Sequence, residues 1–312
     1  MKFASGFEIL EYCQSMAEKF RFYDRCLFHT TVEKTVWDKN AERWTVITDR
    51  GDAMRARYVV LANGILTNPR LARIPGMETF KGDSFHTSRW DYTIDLEDKR
   101  VGILGTGATA VQVIPEIAKV VKELYVFQRT PSSIDVRDQR ETTQEEIETW
   151  KHEPGWSLAR RERLAKISSG RTALQGNDDY LSGRVDIFKT RKKHKTQLAP
   201  EELIKKQLNT NFRIMEQIRA RVDAVVQNSA VGGALKPYYP YGCKRPAFHD
   251  EFLPTFNLPH VTLVDTAPHG VQKINERGIV HDGQEYPLDV LILSLIHISE
   301  PTRPRLRSYA VF

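Results

Sequence analysis

Cysteine is scarce in this chain, long apolar runs are missing, and no paired-thiol motif occurs; each absence removes a class of protein. Cys13, Cys26 and Cys243 are odd in number, far apart and outside any C-x-x-C pair, which excludes a readable disulfide framework, a zinc site and a dithiol redox centre. No stretch approaches the roughly 18 uninterrupted apolar residues that a membrane helix requires. The opening MKFASGFEILEYC lacks the basic start, apolar core and small-residue cleavage site of a secretory signal, so a cytoplasmic location is the default expectation. Neither an internal repeat nor a long low-complexity tract is visible.

What is present is the composition of a folded protein, with 40% hydrophobic and 28% charged residues in 312, enough for two ordinary domains. The formal net charge of +6 is unevenly placed. Between Lys151 and Val222 basic residues outnumber acidic ones about two to one, and the remainder is slightly acidic. That segment, with RRERLAK and KTRKKHKTQ, has no base-stacking aromatic pattern, zinc spacing or recognition-helix signature, so nucleic acid is not the expected partner. A solvated helical surface that also favours an anionic cofactor nearby is the simpler reading.

Apolar residues at helical spacing predict an amphipathic helix from Ser5 to Phe20. The runs CLFHTTVEKTVWD, RWTVITDRGD and ARYVVLANG predict β-strands, the last nearly continuous and ending in Gly64, with turns at Lys39-Asn40 and Arg50-Gly51-Asp52. From Thr67 to Asp91 the composition is that of a linker. KRVGILGTGATAVQVIPEIAKVVKELYVFQRTP then predicts a strand, a glycine turn, a helix of about four turns and a second strand, the βαβ half of a nucleotide-binding fold. Residues 133–235 read as a mostly helical insertion, and HVTLVDTA, VQKINERGIVHDG and YPLDVLIL as three further strand runs. The fold class is therefore α/β with tandem dinucleotide-binding, Rossmann-like domains. The boundaries are 1–66 for part of a first such domain, 67–92 for a linker and 93–293 for the second.

The strongest local motif is GTGATA, Gly105 to Ala110, set between the strand VGIL and a helix. Gly105 suits the tight turn, Gly107 the close approach of backbone to a pyrophosphate, and Ala110 the packing of helix on sheet. A structural glycine turn without ligand is the competing reading. The next strand ends at Gln128, Arg129 and Thr130 with no carboxylate at its tip, where NAD-binding folds tend to place one for the ribose hydroxyl. A cation there suits a 2′-phosphate, so NADPH is favoured over NADH; Arg129 as an ordinary surface arginine is the alternative.

The stretch FKGDSFHTSRWD carries the spacing F-x-G-x-x-x-H-x-x-x-W-[PD] on Phe80, Gly82, His86, Trp90 and Asp91, with the GTGATA turn some 15 residues later. This arrangement resembles the fingerprint of the Baeyer–Villiger monooxygenases, a family of class B flavin-containing monooxygenases, and the likeness runs from about Phe3 to Leu293. It implies FAD and NADPH as cofactors, O2 and a small-molecule ketone as substrates, and an ester or lactone as product formed through a flavin peroxide. YPYGCKRP, Tyr239 to Pro246, is similar to the family's glycine-x-lysine-arginine motif, which implies Arg245 as the active-site arginine and Lys244 as a holder of NADPH. An ordinary surface pair is the reading from sequence alone. An arginine remains protonated throughout a cycle and so can stabilise anionic species in a water-poor site. The resemblance also implies NADPH contacts from Thr106, Ala108, Thr109 and Gln112, and FAD contacts from Val32, Ala62 and Gly64. His86 and Trp90 fit domain positioning better than acid–base chemistry, although a free histidine is otherwise the obvious base. An amine- or sulfide-oxidising flavin monooxygenase is the nearest alternative, and a nucleotide-binding module without turnover is the other. No metal site is expected, and the oligomeric state is unreadable.

Two departures from the family pattern stand out. No G-x-G-x-x-G turn for the FAD pyrophosphate precedes the first strands, which implies a fragment. After Leu293 the family pattern stops, and Ser294 to Phe312, LSLIHISEPTRPRLRSYAVF from Leu293 on, are expected to be a non-native tail.

Overall fold

The structure is a computed structural model of the chain and describes residues 3–62, 73–168 and 199–294. It divides into two compact units, residues 1–68 with 140–142, and residues 69–139 with 143–312. Gly64, the basic run KTRKKHKTQ and residues 295–312 of the expected tail lie outside the described residues.

The first unit opens with helix α1, Gly6–Lys19. Its start is a capping box: Glu8 N–H donates to Ser5 Oγ at 3.2 Å and Ser5 N–H to Glu8 Oε2 at 2.7 Å, which satisfies two backbone donors that no helical carbonyl can reach. No residue of α1 is buried, and Phe7 is 82% exposed. Strands β1 (Val32–Asp38), β2 (Arg43–Thr48) and β3 (Ala53–Ala56) form an antiparallel meander in that order. Trp37 lies opposite Trp44, with ring centroids 5.4 Å apart. Asp38 Oδ1 accepts from the Asn40 and Ala41 N–H groups and so builds the turn expected at Lys39-Asn40.

ARYVVLANG departs from expectation. Among its described residues only Ala56 is in a strand, and Tyr58, Val60 and Leu61 are exposed in irregular backbone. A continuous apolar strand is stable when neighbours cover both edges and faces, and no strand beside 57–62 is found among the described residues.

The second unit is built on a five-stranded sheet in the order β4-β13-β5-β6-β9, with every neighbouring pair parallel. The strands are β4 (Asp83–His86), β5 (Arg100–Leu104), β6 (Glu123–Gln128), β9 (Val261–Asp265) and β13 (Val290–Leu293). Period-2 alternation divides their apolar side chains between two cores. Val101, Ile103, Leu124, Val126, Val290 and Ile292 face one core, packed with helix α2 (Ala108–Ile117) and with Val222, Val226, Phe252 and Leu253. Leu104, Phe127, Leu291 and Leu293 face the other, where Ile274 and Ile279 come from an antiparallel sheet of β10 (Lys273–Asn275), β11 (Gly278–His281) and β12 (Gln284–Pro287). A parallel sheet covered on both faces is the Rossmann-like architecture that the strand–turn–helix pattern predicts.

Three details differ from the sequence expectation. The segment read as a linker supplies β4, an edge strand of the main sheet, whose pairing with β13 joins residues about 200 positions apart. Helix α2 has 10 residues, under three turns, and ends where the chain tightens into i to i+3 bonds at Lys119 and Val120. The last two strand runs each divide into two strands, broken at Glu276-Arg277 and at Leu288-Asp289. Within 133–235 lie the short strand β7 (Ile134–Asp135) and helices α3 (Gln144–His152), α4 (Trp156–Ser168), α5 (Pro200–Val225) and α6 (Ser229–Leu235). Strand β8 (Ala247–Phe248) pairs parallel with β7, and the single-turn helix α7 (Phe252–Thr255) follows.

Candidate functional site

In a parallel sheet, ligands bind beyond the carboxyl ends of the strands where the connections turn to opposite sides. Here β5 leads to β6 on one side, whereas β13 and β4 flank it on the other. The glycine turn stands at that point. Gly105 has φ of +101°, a conformation L side chains rarely adopt, and its N–H donates to Phe127 O at 2.9 Å. Gly107 is the N-cap of α2, without a side-chain cap. A Cβ built at Gly107 meets nothing within 4 Å, so the space above the helix start is open to an approaching group. Ala108 and Gln112 are exposed on the first turns, Gln112 Nε2 donating to Ala108 O; Thr109 is half-buried and Ala110 packs in the core.

The edge has a second mark. Thr87 Oγ1 and Gln128 Oε1, at or just past the carboxyl ends of β4 and β6, are buried with no hydrogen-bond partner among the described residues. Buried polar atoms are nearly always satisfied, and two orphans along one edge fit a site completed by a polar ligand or by water.

Hydrogen bonds join the tip of β6 to the glycine turn. Thr106 Oγ1 donates to Thr130 O at 3.2 Å, and Ser132 Oγ donates to Thr106 O. Arg129 extends from this tip, exposed, with its Cδ 3.5 Å from the position a Cβ would take on Gly270. The chain then enters β7, which runs beside β8 in register, Ile134 opposite Ala247. This ribbon sets the arm 129–133 alongside the arm 239–246. Arg221 of α5 holds it, donating to Ile134 O at 3.1 Å and to His249 O at 2.9 Å. Burial lowers the Arg221 pKa, offset in part by Asp135 and Asp250. Asn211 and Tyr241 exchange side-chain and backbone bonds at 2.8 and 3.0 Å, which ties the second arm to the same helix.

Lys244 and Arg245 lie on that second arm, both exposed. The Lys244 ammonium sits 5.1 Å from the centre of the Tyr239 ring. Its pKa is lowered, first by burial and then by the charge of Arg129. Neither cation has a carboxylate bonded to it among the described residues, which leaves both available to an anionic phosphate. The Arg245 guanidinium likewise makes no hydrogen bond or ion pair among the described residues.

The fingerprint residues have structural work. A Cβ on Gly82 would collide with Asp289 O and stand 2.6 Å from the Phe80 ring, so only glycine admits this approach of β4 to the start of β13. Phe80 packs on the second core. The buried His86 ends β4 level with Leu293 and Leu104. Its Nδ1 accepts from Ser88 N–H at 3.1 Å and lies 2.7 Å from Ser88 Oγ, which caps a short helical turn. Trp90 stacks edge-on against Phe85 with centroids 4.8 Å apart and joins the first core. Asp91 accepts from Thr93 N–H and Oγ1, bonds that lower its carboxyl pKa. For flavin the described residues do not fit a complete site: Val32 and Ala62 are exposed in the first unit, Gly64 lies outside the described residues, and no glycine turn precedes a helix there.

Sequence reasoning missed Asn211, Arg221 and Asp250. Asp250 accepts from three successive backbone N–H groups, Arg137 to Gln139, across more than 110 positions. Such long-range anchors have no local signal. Tyr239 opens a motif that was visible, but nothing in its spacing showed that its ring meets Lys244.

The parallel sheet with its glycine turn defines the class, a Rossmann-like fold of the dinucleotide-binding kind. The family described as flavin-binding monooxygenase-like matches residues 2–143. A Baeyer-Villiger monooxygenase, ATR8, of Stachybotrys chlorohalonatus is 44% identical over 94% of this chain and 49% of its own length. The polycyclic ketone monooxygenase of Thermothelomyces thermophila superposes with a TM-score of 0.83 at 38% identity, over 93% of this chain and 50% of that one. An oxidized steroid monooxygenase bound to NADP superposes with a TM-score of 0.76 at 28% identity, over 93% and 57%. The chain belongs to the Baeyer–Villiger monooxygenases of the flavin-binding monooxygenase-like family. It spans about half the length of the curated relatives it matches.

Proposed function

We propose that the second unit binds NADPH and that the protein to which this chain belongs is a Baeyer–Villiger monooxygenase, using FAD and O2 to convert a ketone into an ester or lactone. The observation that carries the reading is the Lys244 ammonium against the Tyr239 ring, whose hydroxyl bonds Pro131 O and Ser133 N–H just past Arg129, so that two cationic arms are joined beside the glycine turn with no carboxylate at the tip of β6. Gly105, Thr106 and Gly107 form the pyrophosphate turn, with Ala108, Thr109 and Ala110 opening the helix whose free N–H groups meet the phosphates. Gln112 lies one turn on, and Thr130 fixes the tip of β6. FAD, when bound, supplies the redox and oxygen chemistry; the residues of this chain bind, orient and stabilise charge. Arg245 is assigned as the fixed positive charge for the anionic oxygen species. Phe80, Gly82, His86, Trp90 and Asp91 hold the edge strand and its following turn in place. The domain plan of this reading is 1–66 for the FAD side, 67–92 as the connecting segment and 93–293 for NADPH. A cytosolic setting suits a reaction driven by NADPH.

The test is Arg245→Ala in a protein that also contains the FAD phosphate turn. Ketone-dependent ester formation should fall at least about a hundredfold, the scale for losing one charge-stabilising donor, while NADPH-driven bleaching of the flavin spectrum persists. Undiminished ester formation would show the role of Arg245 to be wrong. For the chain by itself, the incomplete flavin contacts favour a second reading, an NADPH-binding module without turnover. Nucleotide binding with no flavin absorbance supports it, and a bound yellow flavin with ketone-dependent NADPH oxidation refutes it.

A further inference from the structure

We propose that Tyr239 is the positioning residue that holds Lys244 for the nucleotide 2′-phosphate and so sets the preference for NADPH over NADH; this rests on the NADPH reading above. A lysine ammonium at the end of four flexible carbons has little reason to remain near Arg129, because like charges repel. Among the described residues no carboxylate pairs with it. What faces it is the Tyr239 ring, 5.1 Å from Nζ, and the negative face of an aromatic ring attracts a cation. Tyr239 therefore stands in for the anion while the site is free of nucleotide, and leaves the ammonium donors available to a phosphate.

The ring itself is firmly held. Its hydroxyl donates to Pro131 O at 2.9 Å and accepts from Ser133 N–H at 3.1 Å. Burial raises the phenol pKa, so it remains a donor at any working pH. Pro131 and Ser133 flank Ser132, whose hydroxyl reaches Thr106 O in the glycine turn. One residue thus links three parts of the site: the turn for the pyrophosphate, the arm that starts at Arg129, and the arm that ends at Lys244.

The experiment measures affinities of the full chain for 2′,5′-ADP and for 5′-AMP by titration calorimetry, in the wild type, Lys244→Met, Tyr239→Phe and Tyr239→Leu. Lys244→Met should sharply reduce the preference for 2′,5′-ADP. Tyr239→Leu should reduce that preference about fivefold, the scale of a cation–π contact between exposed and buried limits, with 5′-AMP binding changed by less than about twofold. Tyr239→Phe keeps the ring and should keep the preference. Where Tyr239→Leu fails to fold, phenylalanines of increasing fluorination at 239 preserve shape while weakening the ring face, and the preference should fall with each fluorine. If Lys244→Met lowers the preference but loss or fluorination of the ring does not, the role of Tyr239 is refuted. Equal weakening of both ligands refutes it too, because a merely structural residue behaves in that way. If the wild type shows no preference, the NADPH reading itself fails; if Lys244→Met leaves the preference intact, Lys244 does not read the 2′-phosphate and the role of Tyr239 falls with it.

Discussion

At the scale of single residues, chemistry and packing are divided between two groups. Arg129, Lys244 and Arg245 are exposed cations with no bonded carboxylate among the described residues, whereas Phe80, Gly82, His86 and Trp90 serve the sheet. Gly82 shows the difference most sharply. Its missing side chain is what lets Asp83 N–H donate to Asp289 O at 3.0 Å, and so lets β4 begin. Gly82→Ala forces a methyl against backbone and the Phe80 ring, an overpacking expected to cost about 2 kcal/mol. Urea unfolding followed by Trp fluorescence should show the midpoint fall, with Phe80→Leu in the same background recovering part of it. An unchanged midpoint would mean that this approach is not tight. The fingerprint was legible as a spacing, but its physical meaning was not, because the group that Gly82 must avoid lies more than 200 positions away.

At the scale of elements, what could be read depended on how local the stabilising contacts are. The strand, turn and helix around GTGATA form within some 20 residues, and each starts where the pattern placed it, the helix ending about a turn early. Strand β4 was hidden in a segment with linker composition, since its pairing comes from β13. ARYVVLANG failed in the opposite direction: its β-propensity is high, but propensity yields a strand only where neighbours accept its hydrogen bonds. The starts of β5 and β13 are joined by Arg100 and Asp289, with guanidinium-to-carboxylate contacts of 2.7 and 3.1 Å and an Arg100 N–H donor to the same carboxylate at 2.8 Å. These bonds, led by the Arg100 side chain, hold the Asp289 carboxyl at about 2, below its usual 3.8. A carboxyl depressed in the folded state stabilises fully above its unfolded value and loses that contribution as pH falls toward the folded value. Stability should therefore decline between about pH 4 and pH 2. Asp289→Asn should lower stability at pH 7 and flatten this part of the acid profile, measured by thermal melting across pH; an acid profile identical to wild type would contradict the assignment.

At the scale of the whole chain, the two units differ in construction. The second has a closed double core and a site assembled from strand ends, and α5 steadies both cationic arms through Asn211 and Arg221. The first has a capped helix with exposed apolar residues and a three-stranded meander. Among the described residues no helix is long and apolar enough to cross a membrane. The second unit is proposed to select a nucleotide by its 2′-phosphate. Calorimetric titration of the chain with NADPH and with NADH, in the wild type and in Arg129→Met/Lys244→Met, tests it most directly. The prediction is one site, at least about tenfold tighter for NADPH, as charge-assisted hydrogen bonds to the phosphate imply, with that advantage lost in the double variant. Equal affinity for the two nucleotides, or an NADPH advantage that survives removal of both cations, would contradict it.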